Sequence, residues 1–168
     1  MNPLRTAIRM TLFAAGLMLV CGLAGCRKST TVTAPDGSQF KVSKKGDQVE
    51  MTIQGAKGEK IRISGGEAGV EMPKDFPADV PIYPGAKVLM AMDLGEAKNV
   101  NLSCPDDRAK VAAFFKEKMK ENGWSSEATI DTPQVVMMHG KKGDRSLSVS
   151  VSSDDKGTTV QVTVSQDK

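Results

Sequence analysis

Cysteine, histidine and aromatic side chains are scarce in this chain of 168 residues, which holds three Cys, one His, five Phe, one Tyr and one Trp. Each scarcity excludes something. One histidine cannot build a zinc cluster, and no cysteine pair stands at zinc-ligand spacing. There is no glycine loop of the phosphate-cradling kind and no serine hydrolase elbow. The formal charge of +3 is small, and no Lys/Arg cluster is interleaved with aromatics, so nucleic acid is not an expected partner.

What is present begins with Arg5 and Arg9, followed by an almost wholly apolar run from Thr11 to Leu23 and small residues before a cysteine. This is the three-part layout of a secretory signal. A run this short falls below the roughly 20 apolar residues that span a bilayer. The tetrapeptide Leu23-Ala24-Gly25-Cys26 resembles the lipobox of bacterial lipoproteins. That resemblance implies a diacylglyceryl thioether on Cys26, cleavage before it and acylation of the new amino group. Two or more acyl chains hold a protein on a membrane stably, where one does so only marginally. Val20 is too bulky to make Cys21 the lipobox cysteine. Arg27 follows Cys26 where retention at the inner membrane favours aspartate, so the resemblance implies the outer membrane, facing the periplasm.

Removing 25 leader residues from 168 leaves 143, and removing Arg5 and Arg9 lowers the formal charge from +3 to +1. With Cys21 lost and Cys26 lipidated, only Cys104 keeps a thiol, and no intramolecular disulfide is expected. No cofactor is expected beyond the covalent lipid.

Residues 26–64 hold the lipidated N-terminus and a β-meander. Val32, then Phe40 and Val42, then Val49, Met51 and Ile53, then Ile61 and Ile63 follow a two-residue period between Gly, Pro and Asp turns, which predicts four antiparallel strands. Their single apolar face needs a packing partner. Residues 65–85 read as a linker and strap: a Gly-rich joint, then a proline-rich segment with Phe76, Val80, Ile82 and Tyr83 that is too apolar to hang free.

Residues 86–168 form the last unit. A helix is expected from about Pro105 to Asn122, with Cys104 as its N-cap, Val111, Phe114, Phe115 and Met119 as its apolar stripe, and Gly123 as its stop. Val88, Met90, Met92 and Leu94 alternate before it, and further hairpins follow. The fold class read from these patterns is α+β: a single long helix packed on a curved antiparallel β-sheet, preceded by a small β-meander. In shape it resembles helix-grip folds, an analogy without functional content. The phrase Asp79-Val80-Pro81-Ile82-Tyr83-Pro84-Gly85-Ala86, with a helix ending Asn122-Gly123-Trp124, resembles a module of uncharacterised bacterial envelope lipoproteins and covers about Pro73 to Ser165.

Candidate chemistry is sparse. The adjacent carboxylates Asp106-Asp107 and Asp154-Asp155 fit a helix N-terminus and a turn better than general acid–base work. Cys104 with His139 would make a nucleophile and base, but no third group orients the imidazole. Met90, Met92, Met137 and His139 are soft donors suited to Cu(I), with Trp124 completing a residue set used by small copper carriers. Methionine as a core gap-filler is the simpler account. The polar ladders Ser146, Ser148, Ser150, Ser152 and Thr159, Gln161, Thr163, Ser165 offer a wet face to glycan. The sequence therefore points to a membrane-anchored, non-enzymatic binding or structural module with an envelope protein or glycan as partner, and secondarily to a Cu(I) carrier.

Overall fold

A computed structural model describes residues 28–154 and 157–167; the expected leader and Cys26 lie outside the described residues. Ten strands among them join one antiparallel sheet: β1 (Lys28–Thr33), β2 (Gln39–Lys45), β3 (Gln48–Gln54), β4 (Lys60–Gly65), β5 (Lys87–Asp93), β6 (Ala97–Cys104), β7 (Ser125–Asp131), β8 (Val135–Lys142), β9 (Arg145–Asp154) and β10 (Gly157–Gln166). Their order is β1-β2-β3-β4-β5-β6-β10-β9-β8-β7. One helix, α1 (Arg108–Glu121), crosses from β6 to β7.

This arrangement overturns the expected α+β class. The described chain is mainly β, its helix spans 14 residues, and the meander is not a separate preamble. β4 pairs with β5 through Arg62↔Asp93, Ile63↔Met92, Ser64↔Ala91 and Gly65↔Met90, so the meander is the outer portion of the same sheet. Nor is the Gly-rich joint loose. Gly66 and Val70 donate to the carbonyls of Leu89 and Val88, Asp47 accepts from the Ala68 amide, and Gln48 donates to the Gly69 carbonyl.

The core lies on one face of β5, β6 and β8–β10. Ala91, Val100, Val162, Val149 and Met138 form one cross-strand row, and Leu102, Val160, Val151 and Val136 form the next. All are buried. The helix covers β7–β9 with Val111, Phe115 and Met119 buried beneath it. Phe114 turns aside to meet Tyr83 edge-on, with ring centroids 5.0 Å apart. Gly140 makes the close fit possible: a Cβ there would stand 2.8 Å from the Ser125 carbonyl oxygen.

The helix begins differently from expectation. Asp107 caps it by accepting from the Lys110 amide, while Cys104 ends β6. A carboxylate is the stronger cap because it is charged as well as accepting.

The strap 70–86 covers the rest of the core, contributing buried Val80 and Tyr83 and partly buried Met72, Phe76 and Ile82. Two clamps hold it. At one end the Asp79 carboxylate accepts from Lys142 at 2.7 Å and from Arg145 at 3.0 Å, while its carbonyl accepts from Asn122 Nδ2 and Trp124 Nε1, both at 3.0 Å. At the other the Tyr83 hydroxyl donates to Asp106 at 2.5 Å. Asp79 and the Asn122-Gly123-Trp124 corner, which belong to one sequence module, are thus physically joined.

Candidate functional site

The apolar side of the sheet changes faces at β5. From β6 onward aliphatic residues point toward α1 and the strap. In β1–β4 they point the other way. Val32, Phe40, Ile53 and Ile61 make one cross-strand row, and Val42, Met51 and Ile63 make a second that continues into Met92. Lys28, Lys44 and Val49 start a third that continues through Gly65 into Met90. The opposite face of these strands carries Lys41, Ser43, Glu50, Thr52, Arg62 and Ser64, and with the strap it borders a cleft of about 690 Å³ lined by polar and apolar residues alike.

β5 makes the change possible because it is apolar on both sides. A register shift between Val88 and Met90 leaves Val88 opposite core Leu102 and puts Met90 and Met92 on the far face. The simple alternation of Val88, Met90, Met92 and Leu94 is therefore corrected. A β-bulge adds a residue, which reverses the facing of everything beyond it.

No element covers the β1–β4 apolar face among the described residues. Val32 is 57% exposed, Phe40 41%, Val49 39% and Val42 36%. Scattered exposed aliphatics are ordinary, whereas a contiguous patch of them marks a contact surface. This face is the candidate site.

The residues singled out for chemistry are spread apart. Met92 and His139 share a cross-strand row through Asn99, Thr163 and Ser148, and Met90 and Met137 share the next through Asn101, Gln161 and Ser150. Yet β6, β10 and β9 lie between β5 and β8, a span of ~19 Å along the sheet at ordinary strand spacing. Those four residues do not converge on one ion. Trp124 is buried on the helix side, under Arg145 at 5.1 Å and Lys142 at 6.0 Å. Met138 fills the core.

Cys104 points toward the core face and His139 toward the other, since Cys104 lies in register with Thr158 and His139 with Ser148. Burial, with a smaller contribution from Asp106, pushes the Cys104 thiol up to about 11. Such a thiol is a poor nucleophile at neutral pH. Iodoacetamide at pH 7.5 should modify Cys104 only after denaturation; rapid labelling of the folded chain would restore it as a reactive group.

Asp106 accepts from Tyr83 and Lys110, and these bonds hold its carboxyl below the ordinary range. Tyr83 is pushed up to about 12, chiefly by the same bond. This pair and the Asp107 cap are structural. Asp154 ends β9, and Asp155 lies outside the described residues. In the polar ladders, Ser146 and Ser165 hydroxyls lie 2.8 Å apart and Thr163 accepts from Asn99 Nδ2 at 2.6 Å. The Asn99 Oδ1 is buried and has no protein partner.

Sequence reasoning identified the meander's apolar residues but not their direction. The five-residue apolar run Val88-Leu89-Met90-Ala91-Met92 was the available signal, because a strand apolar at every position is clothed on both sides.

Residues 88–167 match a family described as START domain-like. The match runs from β5 through α1 to β10 and leaves out the meander. No curated protein and no solved structure matches the chain significantly.

Proposed function

We propose that this chain is a lipid-anchored protein of the bacterial envelope, attached through Cys26 to the outer membrane with its folded part in the periplasm. It works there as a non-enzymatic binding or structural module. One juxtaposition carries the reading: β1 opens at Lys28, two residues after the lipobox-like Leu23-Ala24-Gly25-Cys26. One of the sheet's two edge strands, the one that borders the uncovered apolar face, is therefore also the strand next to the proposed anchoring cysteine. An edge strand and an uncovered apolar face are the two features of a sheet that recruit other surfaces.

Fractionating cells that express Cys26→Ser tests the anchor. The variant should leave the membrane fraction or keep its leader uncleaved. A processed Ser variant that stays on membranes would overturn the proposal.

A further inference from the structure

We infer that the apolar face of β1–β4 rests against the lipid surface to which Cys26 is tethered, so that the sheet meets the membrane by a defined side. The inference builds on the anchoring proposal and adds to it an orientation and a contact surface.

Three observations support a lipid occupant. The first is distance along the chain: only Arg27 separates Cys26 from β1. A trans chain extends at most ~3.6 Å per residue, so an anchor at Cys26 holds Lys28 within about 7 Å of the lipidated residue. The second is charge. Lys28 and Lys44 pair across β1 and β2 on the apolar face, at the end nearest the anchor. Beyond them Val42, Met51 and Ile63 begin the aliphatic surface. Lysine ammonium groups at an apolar border suit an anionic headgroup layer, with the hydrocarbon stems lying along the apolar surface. The opposite face carries Lys41, Lys45, Lys60 and Arg62 beside Glu50, so charge alone does not choose the side; the aliphatic surface behind Lys28 and Lys44 does.

The third is size. Four strands and three cross-strand rows give a face on the order of 300 Å² from strand spacing and rise. A stable protein–protein interface buries roughly 800 Å² per partner. A second copy of the chain would gain too little from this patch alone. A lipid surface asks less of it, because the acyl chains supply the affinity and the patch has only to select a side.

The full lipidated chain, purified from membranes and placed in vesicles of phosphatidylglycerol and phosphatidylcholine, provides the test. Cys104 is buried, so a single introduced cysteine takes an environment-sensitive fluorophore selectively. Val42→Cys and Val49→Cys report the apolar face and Lys41→Cys the polar one, with Trp124 emission monitoring the fold. Acyl-chain quenchers should reduce the signal at 42 and 49 several-fold more than at 41. Equal quenching of both faces on chains that float with the vesicles would overturn the orientation while leaving the anchor intact. Crosslinks between Val42→Cys chains without lipid quenching would replace the membrane by a second copy and also overturn it. Chains that do not float would remove the anchor, and this inference with it.

Discussion

Trp124→Ala is expected to lower the unfolding free energy by about 3–5 kcal/mol, the range for removing a large buried ring. Trp124 is 3% exposed and sits at the corner where α1 turns into β7. Its removal takes away more than volume. The Nε1–H donates to the Asp79 carbonyl, and Arg145 and Lys142 lie over the ring, cation–π contacts each worth about 0.5–1 kcal/mol near a surface. The strap would lose its rigid backing where it enters the core. Urea unfolding followed by circular dichroism measures the loss. Trp124→Phe keeps most of the apolar contact and drops the donor, so it should cost clearly less. A loss below about 1 kcal/mol for the alanine variant would show that the strap is held without the ring, well under the usual cavity cost.

Asp79→Asn is the second large effect, about 2 kcal/mol at pH 7 on the scale of hydrogen bonds to charged groups. The asparagine keeps the backbone carbonyl that serves Asn122 and Trp124, so the experiment isolates the charge. Arg145, and less strongly Lys142, hold the Asp79 carboxyl well below the ordinary carboxylate range. The direction of the pH effect follows. A carboxylate whose folded value lies below its unfolded value of 3.8 stabilises the fold fully above about pH 5 and progressively less as pH falls through and beneath 3.8. Asp75 and Asp167 are depressed as well, by bonds from Lys98 and Lys141, and act in the same sense on a smaller scale because both are exposed. Stability should therefore fall below about pH 4 in the native chain. The gap between native chain and Asp79→Asn should close over the same interval. A gap that is constant from pH 7 to pH 3 would show that the ion pairs contribute nothing to the strap.

Much of the local structure was legible in the sequence. Alternation placed the four meander strands, and the stripe Val111, Phe115 and Met119 placed the helix. Two-residue patterning reports which residues share a face but not which neighbour the face meets. That is why the meander was expected to stand apart when β4 in fact pairs with β5. The Gly-rich segment looked like a joint because its bonding groups lie elsewhere, on Asp47 and Gln48 of the β2–β3 hairpin. The bulge at Val88 was likewise hidden, and with it the facing of Met90 and Met92. The soft-metal constellation rested on two strands that the sequence could not place in the sheet, and β10 and β9 fold in beside β6 to separate them.

The strand β5 sets a parity. Only four residue pairs join it to β4, reinforced by Arg62 and Asp93 at 3.7 Å, and side chains alternate at every step. Sliding β4 along β5 by one residue would turn the whole outer sheet over, bringing Phe40 and Val42 to the helix side and Glu50 and Arg62 to the other. The β4–β5 register, and not the length of the 66–86 connection, is then what sets the facing of the outer strands. A one-step slip in it acts as a sign reversal, exchanging the greasy and the charged sides of β1–β4 while leaving every strand intact.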